Sequence, residues 1–395
     1  MNTARPRLLM VVHNTYPVGE MRVRRQAEAA VAAGWSVDVL SLSHEGDLGQ
    51  EIVDGVCVFR SRVRRTREWS MRSLILQYAG FGAAVAWHCA RWSRYGVVVV
   101  ANPPDFLLFC ALPQRVKGAR LVLDVHDLMT DLFGLRMPEH GLALAALRIV
   151  ERLAFESADA LLTVHHPYGE ELRRRSSKPL TVEIVMNSAD PRFFSPRVTR
   201  PEGVTRFLLH GSLFERNGVD DLLAAFSGII RDGTPARLWL IGDGDAKPAL
   251  RTAVAAEGLT DNVRFSDGIL PPNEMAEMLS DAHVVVVPNR SDAHNRKALS
   301  GKLLEAVAVG VPVIASDLPV TRRYFSDDQV LYFRPGDVDD LREKMLFAIT
   351  HSQEMEDRAR KAANRYAHGL SWPQQRLTFV RFLRRCLCDS PRASS

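Results

Sequence analysis

The chain has 395 residues, a net charge of +5 and a pI near 9.0, and 46% of its residues are hydrophobic. This length predicts two domains, and the composition is that of an ordinary globular protein. The five cysteines show no paired spacing, which argues against a disulfide framework or a zinc site and fits a reducing cytosol. No apolar stretch reaches the roughly 18 residues of a membrane span, and the first apolar run is too short for a signal peptide.

Strands and helices alternate along the first half of the chain. "RLLMVVHN" predicts a buried strand, "MRVRRQAEAAVAA" a helix that Gly34 ends, and "SVDVLSL" the next strand. "GVVVVANPP" and "ARLVLDVHD" predict two further strands. Continuous apolar strands separated by helices indicate a parallel sheet that is covered on both faces.

The second half repeats this alternation. Strands are predicted at "TRFLLHGS", "RLWLIGDG", "NVRFSDG", "HVVVVPN" and "PVIAS", with helices such as "VDDLLAAFSGII" and "NEMAEMLSDA" between them. Residues 189–203 are rich in Pro and Arg and predict a linker, and residues 371–388 predict a final helix. The fold class is therefore α/β, with two doubly wound parallel-sheet domains over residues 1–190 and 204–370. Such domains should hold a ligand at the carboxyl ends of their strands, in the cleft between them.

The stretch "ALSGKLLEAVAVGVPVIAS" predicts an anion site. A helix should run from Ser300 to Val309 and start at the strand-carboxyl edge, where the free N–H groups of Ser300, Gly301 and Lys302 favour a phosphate. Glu305 is one turn further along, on a face of small residues, and is too far from Ser300 to be a capping glutamate. Its carboxylate could accept hydrogen bonds from the two hydroxyls of a nucleotide ribose. A solvated surface glutamate is an equal alternative on these residues alone.

Three other segments carry polar residues at predicted strand ends. In "LLHGSLFERNGVDD", Arg216 lies in a glycine-bearing loop, and its guanidinium suits a diphosphate, although an exposed loop arginine is the simpler alternative. His126 follows a strand directly, where it could donate a hydrogen bond or move a proton, although a lone histidine is more often structural. Gly19 lies in a first loop that lacks the G-x-G-x-x-G fingerprint, which argues against a classical dehydrogenase. "GDGD" at 242–245 indicates a turn rather than a metal site.

Together these segments resemble the retaining, nucleotide-sugar-dependent glycosyltransferases of the GT-B fold, family four. The resemblance covers nearly the whole chain and keeps the motif order. "GVPVIAS" after a helix with Glu305 is similar to the signature "E-A-x-A-x-G-x-P-V-I-A-S", and "LWLIGDGD", "NVRFSDGIL" and "DAHVVVVPN" are similar to the nucleotide-binding core. "PPDFLLFCAL" and "LVLDVHDLM" resemble members that build surface polysaccharides or other glycoconjugates.

The resemblance implies a role for each matching residue. It implies catalytic roles for His126, Arg216 and Glu305, with Glu305 on the donor ribose and His126 on the transferred sugar. Donor binding is implied for the following residues: Gly19, Gly211, Arg216, Gly242, Lys297, Ser300, Gly301, Lys302 and Glu305. It also implies a reaction without a metal or other cofactor, because cationic side chains and helix dipoles stabilise the leaving diphosphate. The final helix, residues 371–388, would cross back to the first domain.

The sequence departs from the family pattern at three places. Ser212 and Asn217 stand where many members have an Arg and a Lys, and Arg216 is our replacement candidate. Lys297 stands where many members have a first glutamate, so Lys297 and Lys302 are candidates for the missing positive charge. The first-loop Gly-Gly of many members is Val18-Gly19 here.

Two clusters of arginines account for the uneven placement of the basic charge. Arg60, Arg62, Arg64, Arg65 and Arg67 precede an apolar, Trp-bearing helix, a region that often lies on the membrane in such enzymes. A sheet-packing helix with a basic loop is nearly as good an explanation. For the second cluster, residues 173–175, a solvated loop is the favoured interpretation.

We therefore predict a retaining glycosyltransferase that moves a sugar from a nucleoside diphosphate sugar, with UDP favoured, to a glycan or lipid-linked acceptor. A cytoplasmic location is expected, with attachment to the inner face of the cell membrane as an open alternative and no nucleic-acid partner. A non-catalytic nucleotide-sugar-binding subunit is the main alternative function. Another nucleotide-sugar enzyme, such as an epimerase, is the least favoured.

Overall fold

The computed structural model describes residues 5–43, 49–64, 71–136, 141–197 and 202–388. The strands are β1 (Arg7–Thr15), β2 (Ser36–Ser43), β3 (Gln50–Val53), β4 (Val56–Arg64), β5 (Val97–Ala101), β6 (Arg120–Val125), β7 (Ala160–Thr163), β8 (Val182–Ile184), β9 (Thr205–Ser212), β10 (Ala236–Asp243), β11 (Val263–Phe265), β12 (Val284–Val287), β13 (Val313–Ser316) and β14 (Leu331–Phe333).

The helices are α1 (Met21–Ala32), α2 (Met71–Arg91), α3 (Leu107–Cys110), α4 (Leu112–Val116), α5 (Met129–Arg136), α6 (Gly141–Ser157), α7 (His166–Arg175), α8 (Val219–Arg231), α9 (Lys247–Ala256), α10 (Pro272–Asp281), α11 (Gly301–Val309), α12 (Pro319–Arg322), α13 (Val338–Thr350), α14 (Ser352–Arg365) and α15 (Trp372–Cys388). A 3-10 turn spans Glu215–Asn217, and a π-helical turn spans Tyr366–Leu370.

The first unit is built on an eight-stranded sheet in the order β3-β4-β2-β1-β5-β6-β7-β8. All neighbouring strands are parallel except β3 and β4, which pair antiparallel. Every residue of β5 is buried, as expected for a strand covered on both faces. The predicted parallel sheet is therefore confirmed in this unit.

The second unit has a six-stranded sheet in the order β11-β10-β9-β12-β13-β14, and all its strands are parallel. Its core joins the inner faces of the strands to α8 and α13, with Phe207, Phe226 and Met345 fully buried. The two parallel-sheet α/β units confirm the predicted fold class.

The chain divides into these units after Asn187 and before Gln375, so most of α15 belongs to the first unit. Within that unit, Gln375 Oε1 accepts a hydrogen bond of 2.8 Å from the Met186 amide, and Phe379 and Phe382 are buried. Of the predicted linker, residues 189–197 belong to the second unit and residues 198–201 lie outside the described residues.

The two arginine clusters differ from the sequence-based expectation. Arg60, Arg62 and Arg64 are part of strand β4 rather than a loop, while residues 65 and 67 lie outside the described residues. Residues 173–175 end helix α7 rather than forming a loop; Arg173 and Arg174 are exposed as expected, but Arg175 is not. The physical reason is charge pairing, since Arg175 is 17% exposed and forms ion pairs with three carboxylates. The three carboxylates are those of Asp131, Glu151 and Glu171.

Among the described residues, no helix combines the length and the apolar character needed to cross a membrane.

Candidate active site

The second unit places the start of α11 at the carboxyl edge of its sheet. Strand β12 ends at Val287, a polar segment follows, and α11 begins at Gly301 with Ser300 as its N-cap. The Ser300 side chain makes no capping hydrogen bond, and a Cβ on Gly301 would meet no atom within 4 Å. The first amides of a helix have no intrahelical acceptor, so this end of α11 offers both donors and open space for an anion.

Glu305 lies one turn beyond that start, and its side chain is 29% exposed. His210, near the end of β9, is its neighbour, with Nδ1 3.6 Å from Glu305 Oε2. Burial, aided by the charge of Lys302, lowers the pKa of His210 to about 3, so the ring is neutral at physiological pH. Its Nε2 is buried and makes no hydrogen bond within the described part of the chain. Sequence analysis did not single out His210, although a histidine at the end of an apolar strand is a usable signal.

The side chain of Lys302 passes over the backbone of Gly211. Gly211 has φ +91°, and a Cβ built on it would lie 3.0 Å from Lys302 Cε. Burial lowers the pKa of the Lys302 ammonium to about 8; the Arg216 charge adds to this effect and the Glu305 charge opposes it. Lys302, Gly211, Glu305 and Arg216 are therefore neighbours, as the resemblance implied for a common site.

The loop after β9 is fixed by hydrogen bonds from the segment that follows β12 and by a hydrogen bond of its own. The Arg216 carbonyl accepts hydrogen bonds from the Arg290 amide at 2.9 Å and from Asn295 Nδ2 at 3.0 Å. Asn217 Nδ2 donates to the Ser212 carbonyl at 2.7 Å, which closes the loop on itself. The Asn217 amide group therefore has a structural role, and the Arg216 guanidinium is the cation that this loop offers. The Lys297 amide donates to the His294 carbonyl at 2.9 Å, in the segment that precedes α11.

Gly242 is required by the packing of two strand ends. A Cβ on Gly242 would lie 1.8 Å from the Gly211 carbonyl oxygen, so no other residue fits here. Its amide donates to Ser266 Oγ at 2.8 Å, and its carbonyl accepts from Lys247 Nζ at 3.0 Å. The predicted turn at 242–245 is only partly present, because Gly242 and Asp243 end strand β10 and the turn begins at Asp245; Gly242 lets the end of β10 approach the end of β9.

The first unit has a second group of polar residues at the end of β6. Asp124 is fully buried, and its carboxylate accepts two hydrogen bonds from the Arg22 guanidinium, at 3.0 and 2.8 Å, and one from Gln26 at 2.9 Å. His126 Nε2 lies 3.1 Å from Asp124 Oδ2, and His126 Nδ1 lies 3.9 Å from Glu20 Oε1. The sequence alone singled out His126 but not Arg22 and Gln26, which come from α1.

The backbone around His126 is fixed by Asn102, which follows β5. Asn102 Oδ1 accepts a hydrogen bond from the His126 amide at 2.6 Å, and its Nδ2 donates to the Asp127 carbonyl at 2.7 Å and to Asp105 Oδ1 at 2.9 Å. Burial raises the pKa of Asp105 to about 7, with the Asn102 hydrogen bond acting in the opposite direction.

Gly19 forms a tight turn between β1 and α1. Its amide donates to the Thr15 carbonyl at 3.0 Å, and its carbonyl accepts from Asn14 Nδ2 at 2.7 Å. A Cβ at Gly19 would come within 2.4 Å of Thr15 Oγ1, so the turn requires glycine. The turn places Glu20 close to His126, which brings two predicted site regions of the first unit together.

Within the described residues, no group of three or more His, Cys, Asp or Glu side chains is arranged to hold a metal ion.

Comparisons with known proteins identify both units. Residues 19–188 match the family described as "Glycosyl transferase 4-like domain", and residues 205–351 match "Glycosyl transferases group 1". The putative colanic acid biosynthesis glycosyltransferase WcaL of Escherichia coli is 24% identical over 185 residues, which are 45% of each chain. This chain therefore spans less than half the length of that curated relative.

Two solved structures show the fold. Sucrose-phosphate synthase from Thermosynechococcus elongatus has a TM-score of 0.81 and 19% identity, with 97% of this chain and 100% of that chain covered. HepE from Anabaena, solved in complex with UDP and glucose, has a TM-score of 0.70 and 15% identity, over 97% of this chain and 100% of that chain.

Proposed function

Since the chain belongs to the group 1 glycosyltransferases of the GT-B fold, we propose that it transfers a sugar from a nucleoside diphosphate sugar to an acceptor hydroxyl. The pathway we propose is the synthesis of a polysaccharide or glycoconjugate. The observation that carries this proposal is the cluster at the start of α11, where Lys302, Glu305 and the helix N-terminus meet beside Arg216. A diphosphate needs cations and N–H donors, and a ribose needs a carboxylate, and this cluster has all three.

The donor is proposed to bind in the second unit. Its diphosphate lies at the amides of Ser300 and Gly301, with Lys302 and Arg216 as the cations. Its ribose hydroxyls donate to Glu305, whose side chain is partly open to solvent. We favour uridine as the base from the family resemblance, and HepE, a protein with this fold, was solved with UDP.

The proposed reaction retains the configuration of the sugar. The bond between the anomeric carbon and the diphosphate oxygen breaks, and the acceptor oxygen bonds to the same face of the carbon. The acceptor proton passes to the departing diphosphate oxygen, and Lys302, Arg216 and the α11 dipole stabilise the charge that develops there. No metal is required in this scheme. His126 is proposed to donate a hydrogen bond to the transferred sugar.

A peripheral membrane location is supported by the outer face of α2. Leu76 and Trp87 are 73% and 63% exposed, and their separation of three helical turns places them on one face. Arg72 and Arg91 lie near the two ends of this helix, and both are exposed. An apolar face with a tryptophan and flanking arginines suits an anionic bilayer surface, where a lipid-linked acceptor would be found.

A non-catalytic nucleotide-sugar-binding subunit is the second candidate. It is favoured by the loop after β9, where Asn217 closes the loop instead of offering a cation, and by Lys297 in place of a family glutamate. Such a subunit would bind nucleotide without turning over the donor.

A turnover assay separates the two candidates. Release of nucleoside diphosphate is measured from a panel of UDP-, GDP- and ADP-sugars, with lipid-linked and soluble acceptors present, for the wild type and for Lys302→Met. A transferase gives acceptor-dependent release that falls at least about tenfold in the variant, because hydrogen bonds to charged groups are lost. Nucleotide binding without release from any donor would support the subunit instead, and a changed sugar without acceptor consumption would indicate an epimerase.

A further inference from the structure

A buried charge network in the first unit ends at His126. Arg22 and Asp124 are 3% and 0% exposed, and the two planar groups meet through a pair of hydrogen bonds, Nε to Oδ2 at 3.0 Å and Nη2 to Oδ1 at 2.8 Å. Arg22 Nη1 also donates to the Val185 carbonyl at 2.5 Å. Gln26, one turn after Arg22 on α1, donates to Asp124 Oδ2 at 2.9 Å. The Asp124 carboxylate is therefore fixed from two sides.

The His126 ring lies between two carboxylates. Its Nε2 is 3.1 Å from Asp124 Oδ2, an ion-pair distance without the geometry of a hydrogen bond, its Nδ1 is 3.9 Å from Glu20 Oε1, and its side chain is 14% exposed. A neutral imidazole has one N–H donor and one acceptor nitrogen, whereas an imidazolium has two donors. A carboxylate oxygen lies within 4 Å of each nitrogen, so the positive charge of the imidazolium is favoured over either neutral tautomer, while Nδ1 lies beyond hydrogen-bond distance of Glu20 Oε1.

The charges around His126 favour its protonated form on balance. Burial lowers the pKa of His126, and the Asp124 charge and contact outweigh it, with Glu20 adding to Asp124 and Arg22 opposing it, so that the pKa is raised above its ordinary value. The other acidic groups nearby are Asp127 in the same loop and Asp105, which binds Asn102 next to the His126 amide.

We propose that Asp124 is a positioning residue that holds His126 as a protonated, hydrogen-bond-donating ring, and that Arg22 and Gln26 hold Asp124 for this purpose. In the proposed transfer reaction, on which this inference rests, His126 then cannot act as the general base that takes the acceptor proton. It acts as a cationic donor to the sugar, and the proton must go to the departing diphosphate.

The first test needs no donor or acceptor. The Cε1 proton of His126 is followed by NMR through a pH titration of the ligand-free chain, and its resonance is assigned from its loss in His126→Gln. We expect His126 to titrate above pH 6.5 in the wild type, and its pKa to fall by about 1 or more in Asp124→Asn, because an opposite charge in contact is removed. Titration at or below 6.5 in the wild type would overturn the proposal.

Asp124→Asn leaves Arg22 buried without its carboxylate, and this variant could fail to fold. Glu20→Gln is the second variant, since the Glu20 side chain is 22% exposed and lies at the helix start. It should lower the pKa of His126 by a smaller amount than Asp124→Asn. Glu28→Gln, on the same helix and paired with Arg24, is the matched control and should leave the pKa unchanged. Equal titration of His126 in Glu20→Gln, Glu28→Gln and the wild type would contradict the proposal.

The second test separates this inference from the proposed function. If the chain is a transferase, kcat/KM should fall as the pH rises through the pKa of His126, and that limb should move to lower pH in Glu20→Gln but not in Glu28→Gln. A raised, Asp124-dependent pKa without any transfer activity would support the positioning role and reject the transferase. Transfer activity that rises with deprotonation of His126 would support the transferase and reject the positioning role.

Discussion

Lys302 lies across Gly211, with its Cε 3.0 Å from the point that a Cβ on Gly211 would occupy. This contact joins the first turn of α11 to the end of β9, directly before the loop that carries Arg216. The family resemblance implies two cations in this region for many members, and here Ser212 and Asn217 stand at those positions. The structure thus places a lysine from another element beside the start of this loop.

Gly211→Ala should weaken nucleotide binding as well as stability. Its φ of +91° costs an alanine of the order of 1 kcal/mol, and the added methyl group must also displace the Lys302 side chain. Gly310→Ala is the matched control, because Gly310 has φ +81° but no atom within 4 Å of the new Cβ. Both variants should lose similar stability in urea unfolding. Only Gly211→Ala should lose affinity for UDP in calorimetry, and equal affinities would refute the role of this contact.

Nucleotide affinity should depend on pH through Lys302. The pKa of this lysine in the free protein is lowered to about 8, so its positive charge is present below that pH and is lost above it. Affinity for a nucleoside diphosphate should therefore fall between pH 7 and pH 9 in the wild type, by roughly tenfold. Lys302→Met should bind weakly and with little pH dependence, while Lys361→Met, whose lysine is 57% exposed, should behave as the wild type. A flat wild-type profile would argue against Lys302 as a diphosphate ligand.

Much of the fold could be predicted from the sequence because most of its strands are continuous apolar runs that Gly or polar residues end. The runs at β1, β5, β9 and β12 are examples, and the motifs after them fall at the sheet edge. Strands β3, β4, β7, β8 and β14 were missed. Four of them have three or four residues, which give too little periodicity to stand out, and the nine-residue β4 contains arginines that were interpreted as part of a basic loop.

The candidate site was predictable only where its residues are close together in the sequence. Glu305 and Gly301 belong to one local motif and could be identified together. The contacts of Lys302 with Gly211 and of Arg22 with Asp124 join distant parts of the chain, and only the folded backbone brings them together. Arg175 was wrongly predicted to lie in a solvated loop, because a run of three arginines gives no sign of the buried carboxylates that one of them binds.

Asp105→Asn should stabilise the protein at alkaline pH. The pKa of Asp105 is raised to about 7 by burial, so the folded state binds this proton more tightly than the unfolded state does. The carboxyl therefore reduces stability as the pH rises from about 4, and the full cost is reached above about pH 7. Asparagine removes this cost, and the variant should be more stable than the wild type by a few kcal/mol at pH 8 but not at pH 4. Urea unfolding at both pH values measures this, and a difference that does not change with pH would contradict it.

Binding to anionic vesicles should depend on the exposed face of α2. Replacing Leu76 and Trp87 with glutamine and serine removes the apolar part of this face without touching the buried core, since both are more than half exposed. Co-sedimentation with vesicles rich in anionic lipid should fall severalfold. The control is Ile269→Gln, a 78% exposed residue of the second unit, which should sediment as the wild type does. Equal sedimentation of the double variant and the wild type would remove α2 as the membrane surface.

The most direct test of the donor site is the thermal stabilisation of the purified protein by UDP, GDP and ADP, compared between the wild type, Glu305→Ala and the control Glu343→Ala, whose side chain is 73% exposed. A ligand that binds the folded state raises the apparent stability by mass action. We predict that one nucleotide raises Tm by several degrees in the wild type and in Glu343→Ala, and that this shift is lost in Glu305→Ala. A shift of the same size in Glu305→Ala, or no shift with any nucleotide in the folded wild type, would contradict the proposed donor site.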